Sequence, residues 1–217
     1  MDKFMDRLIS MLPGKLRKNL HYEGKYSGDP ATLKNQLLRD GSTKFREPEM
    51  KKFMIIANTA SVVLFCVLLL IYKLRSGWAP MNILGILLSF LTLFPHEFIH
   101  AACFRKDVYV YTNLKQMSLF VVGSEPFTRR RFVFMSMLPT IIFGFIPFAL
   151  FLIWPNLHLL GTLGLFAITE GAGDFINVYM AMTQMPSNAL TYLYQEHSYW
   201  YYPEQGATEA ESASEKT

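Results

Sequence analysis

The sequence predicts an all-α membrane protein with four transmembrane helices and a cytosolic loop that holds a short β-hairpin. Of its 217 residues, 51% are hydrophobic, and the mean hydropathy is +0.19. The chain has 21 Lys and Arg and 17 Asp and Glu residues, yet only three of them lie in its four most apolar windows. Such segregation, with only two cysteines, excludes a disordered chain or a disulfide-stapled secreted module.

Each of the four apolar windows is long enough to cross a bilayer. A helix rises 1.5 Å per residue, so about 20 residues cross a hydrocarbon core of roughly 30 Å. The third window contains Pro139 and Pro147, which a membrane helix tolerates when neighbouring helices satisfy the freed carbonyls. The short Pro155-Asn156 link predicts that the last two windows form a tight antiparallel pair. The windows are 53–72, 81–104, 132–154 and 157–182.

The basic residues predict the orientation of these helices. Residues 1–52 contain twelve Lys and Arg, residues 105–131 contain six, and the Pro155-Asn156 link has none. Since Lys and Arg are retained on the cytosolic side, the N-terminus, the central loop and the C-terminus should face the cytosol. Anionic lipid headgroups, not nucleic acid, are the expected partner of these charges. The absence of a cleavable signal or transit segment fits a bacterial cytoplasmic membrane.

Three regions are expected along the chain. Residues 1–52 form a basic cytosolic region that begins with an amphipathic stripe, residues 53–202 form the membrane domain, and the Ala-, Ser- and Glu-rich tail 203–217 is expected to be disordered. Alternation in residues 108–112 and the apolar run 119–122, on either side of a polar stretch, predict the hairpin.

The chemistry of the chain centres on His96-Glu97-x-x-His100, at the end of the second window. Residues four apart lie on one face of a helix, so both imidazoles can bind a single Zn²⁺ ion, with Glu97 close enough to move a proton of water. Ionisable groups inside a bilayer are costly unless they are paired or metal-bound. The motif therefore predicts a zinc site within the membrane domain.

A third zinc ligand is needed, and the fourth window offers two acids, Glu170 and Asp174. Measured from the outer end of each window at 1.5 Å per residue, the histidines lie at depths of about 22 and 28 Å, Glu170 at about 20 Å and Asp174 at about 26 Å. This comparison favours Asp174 and leaves Glu170 as the alternative.

Neighbouring residues of the fourth window support a site between helices. The small residues of Gly171-Ala172-Gly173 would let its backbone approach the second helix. Asn177 follows Asp174 by about one turn and could orient its carboxylate from the second shell. A generic interhelical hydrogen bond is the favoured explanation of this amide.

Other candidates fit a metal site less well. Cys103 lies about 10 Å further along the helix axis than His96, too far to share an ion with both histidines. His158 is expected to lie at the outer membrane interface. Glu125, in Gly-Ser-Glu-Pro, is expected to be a solvated loop acid, with a mobile loop ligand as the alternative.

Three segments, HEFIHAACF, EPFTRRRF and GAGDFIN, resemble the DUF3267 family of zincin peptidases over residues 80–200. The layout is also similar to the site-2 type of intramembrane metalloprotease, in which an Asp of a later helix completes an HExxH site. The resemblance implies that His96, His100 and Asp174 bind zinc and that Glu97 is the catalytic acid and base. One departure is Phe175, which follows Asp174 where the site-2 pattern has Gly.

The expected function is therefore a zinc-dependent peptidase that hydrolyses membrane proteins or peptides near the cytosolic face. Its substrate must present an extended backbone, which the hairpin could bind edge to edge. A proton- or metal-coupled transporter using the same acids and histidines is one alternative. A non-catalytic zinc-binding membrane protein is another, although it would not need Glu97.

Overall fold

A computed structural model describes residues 9–10, 14–34, 37–113 and 118–203. Most of the N-terminal amphipathic stripe and nearly all of the tail, from residue 204 onwards, lie outside the described residues. The described chain contains helices and two β-sheets. The α-helices are α1 (Gly14–Asn19), α2 (Met50–Arg75), α3 (Ile83–Ala102), α4 (Arg129–Thr140), α5 (Ile146–Ile153), α6 (His158–Glu170) and α7 (Ala172–Gln184), with a π-helical segment, Ile141–Phe145, between α4 and α5.

The strands form a three-stranded and a four-stranded sheet in the described part of the chain. The strands are β1 (Leu20–Lys25), β2 (Thr43–Lys44), β3 (Val108–Asn113), β4 (Ser118–Gly123), β5 (Phe127–Thr128), β6 (Leu190–Tyr194) and β7 (His197–Tyr201). In sheet 1 the order is β1-β3-β4, with β1 parallel and β4 antiparallel to β3. In sheet 2 the order is β2-β7-β6-β5, and every pair is antiparallel.

These sheets show that the predicted all-α class is wrong. The hairpin is confirmed, since β3 and β4 pair from Val108↔Gly123 to Asn113↔Ser118. Three further pairs join segments that are distant in sequence: β1 with β3, β2 with β7, and β5 with β6. Short strands whose partners lie far away in sequence leave little local pattern. β6 and β7 form a second local hairpin, whose Gln195-Glu196 turn lacks the Asn-Gly type of signal. The predicted domain boundaries at residues 52 and 202 stay a prediction.

Three helices are long and apolar enough to cross a membrane in the described chain, where four were predicted. They are Met50–Arg75, Ile83–Ala102 and the continuous stretch Arg129–Ile153, and they indicate membrane association. The last includes the π-helical segment, which is followed by Pro147. A proline cannot donate to the carbonyl four residues earlier, and for Pro147 that carbonyl belongs to Phe143, inside the segment.

The fourth predicted span is not one helix, because it is broken at Gly171. α6 ends at Glu170, α7 begins at Ala172, and the two axes are bent by 50°. The carbonyl of Gly171 accepts hydrogen bonds from the amides of Asp174 and Phe175, so α7 starts as a new helix. Composition over a sliding window cannot detect such a bend, since both halves are apolar.

Packing places the end of α3 between the helical bundle and sheet 1. Near its start, α3 approaches α6 closely at Gly85, where a Cβ would come within 2.7 Å of the Leu159 carbonyl oxygen. At its other end, Ala101 is fully buried in a cluster with Leu20, Val108 and Val110 of sheet 1. The segment that carries the HExxH motif is thus held from both sides.

Candidate metal centre

The two histidines and the glutamate of the motif converge on one side of α3. His96 and His100 are one turn apart, and their ring centroids lie 4.8 Å from each other. One ligand atom from each of His96, Glu97 and His100 lies within 4.8 Å of the others. This is the clustering that the i, i+4 spacing predicts for a shared metal ion.

Asp174, near the start of α7, meets both histidines. Its Oδ2 lies 3.0 Å from Nε2 of His96, and its Oδ1 lies 3.5 Å from Nε2 of His100. The three side chains are only 15%, 11% and 16% exposed for His96, His100 and Asp174. A single carboxylate therefore bridges the two imidazoles in a largely desolvated site.

The hydrogen bond of Nδ1 determines which ring nitrogen of His100 carries the proton and which carries a lone pair. Nδ1 lies 3.0 Å from the backbone carbonyl oxygen of Met135, and a carbonyl can only accept, so Nδ1 carries the proton. In the neutral ring, Nε2 then presents a lone pair toward the carboxylate of Asp174. The lone pair of Nε2 and the carboxylate oxygen of Asp174 repel each other unless a proton or a cation lies between them.

The separation of Asp174 from His100 also fits a zinc ion. Bonds of about 2.0–2.2 Å at a tetrahedral angle place two ligand atoms roughly 3.3–3.6 Å apart. The distance from Oδ1 of Asp174 to Nε2 of His100, 3.5 Å, lies in this range, whereas the 3.0 Å from Oδ2 to Nε2 of His96 is the shorter distance of a hydrogen bond. Two imidazoles and one carboxylate form a donor set typical of catalytic zinc, which keeps a further position for water.

Glu170, the alternative ligand, is placed elsewhere. Its Oε1 accepts a hydrogen bond of 3.2 Å from the hydroxyl of Ser89, which lies on α3 before the motif. Within the described residues, no hydrogen bond or ion pair joins Glu170 to either histidine, whereas Asp174 contacts both. The break at Gly171 separates the two acids, which a straight helix would place on one face.

The small residues beside Asp174 do not act as predicted. A Cβ on Gly171 would overlap the hydroxyl oxygen of Thr140, which belongs to α4 and not to α3, and a Cβ on Gly173 would have no atom within 4 Å. The close approach between α3 and its partner occurs at Gly85 against α6 instead. Asn177 faces the same cavity as Asp174, and the described contacts include no hydrogen bond between them, so its second-shell role stays a prediction.

A cavity of about 290 Å³ extends from the candidate metal centre to the two sheets. β4 is an edge strand, since it pairs only with β3 in the described chain. β5 pairs with only the first two residues of β6, so the rest of that edge lacks a strand partner among the described residues. The cavity walls include polar residues of the metal centre and residues of both edges: Glu97, His100, Asp174, Phe120, Val121, Tyr192 and Leu193.

Sequence reasoning misjudged Glu125, which is 6% exposed and not a solvated loop acid. Its carboxylate accepts hydrogen bonds from Arg131 and from backbone amides just after α3. The sequence used Arg129-Arg130-Arg131 as an orientation signal and as part of the family resemblance, and it gave Arg131 no role at the site. The carbonyl of Met135 did have a signal, since Pro139, four residues later in the helix, cannot donate to it. Cys103 and His158 lie outside the His-Glu-His cluster, and Nδ1 of His158 lies 3.3 Å from the hydroxyl of Tyr72.

Residues 89–190 match the model of the DUF3267 family, whose description is putative zincin peptidase. The match includes the whole HExxH motif, Glu125, Arg131 and Asp174, and it confirms the resemblance to this family. The family description implies zinc and suggests a metallopeptidase hydrolase. The chain matches no curated protein and no solved structure.

Proposed function

We propose that this protein is a membrane-embedded zinc peptidase that hydrolyses peptide bonds of membrane proteins near the cytosolic face. The observation that carries the proposal is the contact of one Asp174 carboxylate with Nε2 of both His96 and His100, beside Glu97. The family match to zincin peptidases supports the same reaction class.

In this proposal His96, His100 and Asp174 hold the metal. A zinc ion bound there would act as a Lewis acid that lowers the pKa of water and polarises a peptide carbonyl. The Met135 carbonyl keeps the proton of His100 on Nδ1 and leaves Nε2 as a ligand atom. These groups are preorganised by α3, α4 and α7, so little side-chain freedom is lost when the metal binds.

Glu97 is the proposed acid and base. It belongs to the His-Glu-His cluster and also lines the cavity, so it faces both the metal site and the space for substrate. Its carboxylate would accept a proton from the attacking water and deliver that proton to the nitrogen of the leaving amine. Neither step requires Glu97 to bind the metal itself.

The strand edges of β4 and β6 suggest how the substrate is held. A peptide carbonyl within a helix is hydrogen-bonded and covered, so the scissile segment must be extended. An unpaired strand edge binds an extended chain through main-chain hydrogen bonds, and two such edges line the cavity beside Glu97. We therefore propose that the substrate lies as a strand along β4, with its scissile bond toward Glu97.

The distribution of Lys and Arg supports a site near the inner face of the membrane, with both termini in the cytosol. A bacterial cytoplasmic membrane is the proposed location. In this orientation, the cleaved bond lies close to the cytosolic end of a substrate helix, and single-span proteins are the proposed substrates.

The test compares wild type with Glu97→Gln in detergent. Zinc content is measured for both, and both are assayed on single-span reporters whose inner-face segment is either unbroken Leu or interrupted by Gly-Pro. We expect both proteins to bind zinc and Glu97→Gln to cleave about 10²–10⁴-fold more slowly, with the interrupted reporter cleaved faster.

Glu49→Gln is the matched control, because Glu49 is an exposed acid at the start of α2. It should cleave like wild type. A wild type without zinc would contradict the metal site. Equal cleavage by wild type and Glu97→Gln would contradict the role of Glu97, and zinc binding without any cleavage would favour a non-catalytic zinc protein.

A further inference from the structure

The turn after α3 is held by a buried carboxylate, that of Glu125. One of its oxygens accepts hydrogen bonds from the backbone amides of Arg105, at 2.5 Å, and Lys106, at 3.1 Å. The other accepts from Nη1 of Arg131 at 2.5 Å. Since both oxygens are engaged by three donors, Glu125 is not available as a metal ligand or as a base, although it lines the cavity.

Arg131 joins this carboxylate to the end of α3. Its Nη2 donates to the carbonyl oxygen of Cys103 at 2.6 Å, the residue that caps α3. Its guanidinium carbon also lies 4.3 Å from the ring centroid of Phe127, and that ring meets Phe104 edge-on at 4.8 Å. The planar guanidinium group thus donates to Glu125 through one nitrogen and to Cys103 through the other. The single ammonium nitrogen of a lysine cannot reproduce this geometry.

The same face of α4 contacts α3 twice. Arg131 and Met135 are four residues apart and therefore lie one above the other on that helix. Arg131 holds the carbonyl of Cys103, and the carbonyl of Met135 holds Nδ1 of His100. Because His100 is three residues before Cys103, both contacts fix the same final turn of α3.

We infer that Glu125 and Arg131 are a positioning pair that sets the orientation of His100 toward Asp174. This inference rests on the proposed metal centre, and it assigns a role in the reaction to two residues that do not touch the metal site. Removal of either partner releases the last turn of α3, so the ring of His100 loses its fixed direction. The pair is therefore needed for tight metal binding, in addition to its contribution to folding.

The test uses Glu125→Gln and Arg131→Lys in the full chain. Arg130→Lys is the matched control, because Arg130 is the exposed neighbour of Arg131. Zinc affinity is measured by competition with a chelating dye, and ligand geometry by the d–d absorption of the Co²⁺-substituted protein. We expect each variant to lose about 10- to 100-fold in zinc affinity, as for loss of an outer-shell partner, with an altered cobalt spectrum. Arg130→Lys should match wild type in both.

If both variants keep the zinc affinity and the cobalt spectrum of wild type, the inferred positioning role is wrong. This holds even if their melting temperatures fall, because the pair then has a purely structural role. If wild type binds zinc but cleaves nothing, the proposed peptidase activity is wrong. The cobalt spectra still test whether Glu125 and Arg131 position His100.

If wild type binds no metal, the proposed zinc function fails. The positioning role of Glu125 and Arg131 is then tested by the ¹⁵N chemical shifts of the His100 ring in the metal-free protein. These shifts should change in both variants and not in Arg130→Lys. Unchanged shifts in the two variants would contradict the positioning role.

Discussion

α6 and α7 were expected to be one membrane span, yet they differ in what they contact. Seven of the thirteen residues of α6 are buried, against three of the thirteen in α7. α6 packs through small residues, such as Gly161 against Phe151 and Gly164 against Phe148. α7 packs less tightly and carries Asp174 and Asn177, which face the cavity.

The polar groups of the two helices differ in the same way. On α6, the hydroxyl of Thr162 accepts from the amide of Asn82 and Glu170 accepts from Ser89, so both hold helices together. On α7, Asp174 faces two histidines. The bend at Gly171 thus separates a helix that stabilises the bundle from a helix that contributes to the site.

The sharpest test of this difference compares Asp174→Ala with Glu170→Ala. Asp174→Ala removes a proposed ligand, so we expect zinc affinity to fall by more than the ~100-fold that loss of an outer-shell partner can cost. Glu170→Ala should retain zinc, because its carboxylate contacts Ser89. Zinc content after dialysis against a chelator measures both. Loss of zinc in Glu170→Ala alone would reverse the assignment.

The bend itself can be tested with two glycines that are two residues apart. In Gly171→Ala the new methyl group overlaps the hydroxyl of Thr140, so we expect a loss of about 1–3 kcal/mol in the free energy of unfolding and weaker zinc binding. Gly173→Ala has open space and should be neutral or stabilising by up to about 1 kcal/mol. Unfolding in mixed micelles gives both values. Equal effects at the two positions would argue against the packing of Gly171 on α4.

The packing role of α6 predicts a cost for Thr162→Val. The fully buried hydroxyl of Thr162 accepts a hydrogen bond of 3.0 Å from the amide of Asn82, and valine would leave that amide without a partner, at a cost of about 1–3 kcal/mol. Thr183→Val on α7 is the control, since its exposed hydroxyl bonds within its own helix, and it should change stability by less than about 0.5 kcal/mol. Melting temperatures in detergent compare the two variants, and similar losses would refute the contrast.

The smallest metal effect is expected for Asn177→Ala. No described hydrogen bond joins Asn177 to Asp174, so we expect zinc affinity to fall by less than the ~10-fold typical of an outer-shell partner. Because Asn177 lines the cavity, KM for a peptide reporter should rise instead. A larger loss of zinc, measured in the same dye competition, would show that Asn177 orients the carboxylate of Asp174, as the sequence suggested.

The elements that the sequence predicted well are those with a strong local pattern. The uncharged window 53–72 lies inside α2, and the alternation in residues 108–112 lies on β3. The hairpin of β6 and β7 was missed although its strands are neighbours in sequence, because its Gln195-Glu196 turn lacks the Asn-Gly type of signal. β1 and β2 were missed because their residues gain partners only after the chain has crossed the bundle. Glu125 was misjudged for the same reason, since its burial depends on Arg131 and the turn after α3.

The sequence by itself determined the chemistry that is available: two histidines and a glutamate at helical spacing, and two acids in a later apolar segment. Helical periodicity is enough for the first, because residues four apart in one helix have a fixed separation. For the third ligand the sequence favoured Asp174 and left Glu170 open, and the contacts of the two acids were decided by the tertiary structure. Glu170 and Asp174 would share a face of a straight helix, and the 50° bend at Gly171 turns one toward Ser89 and the other toward His96 and His100.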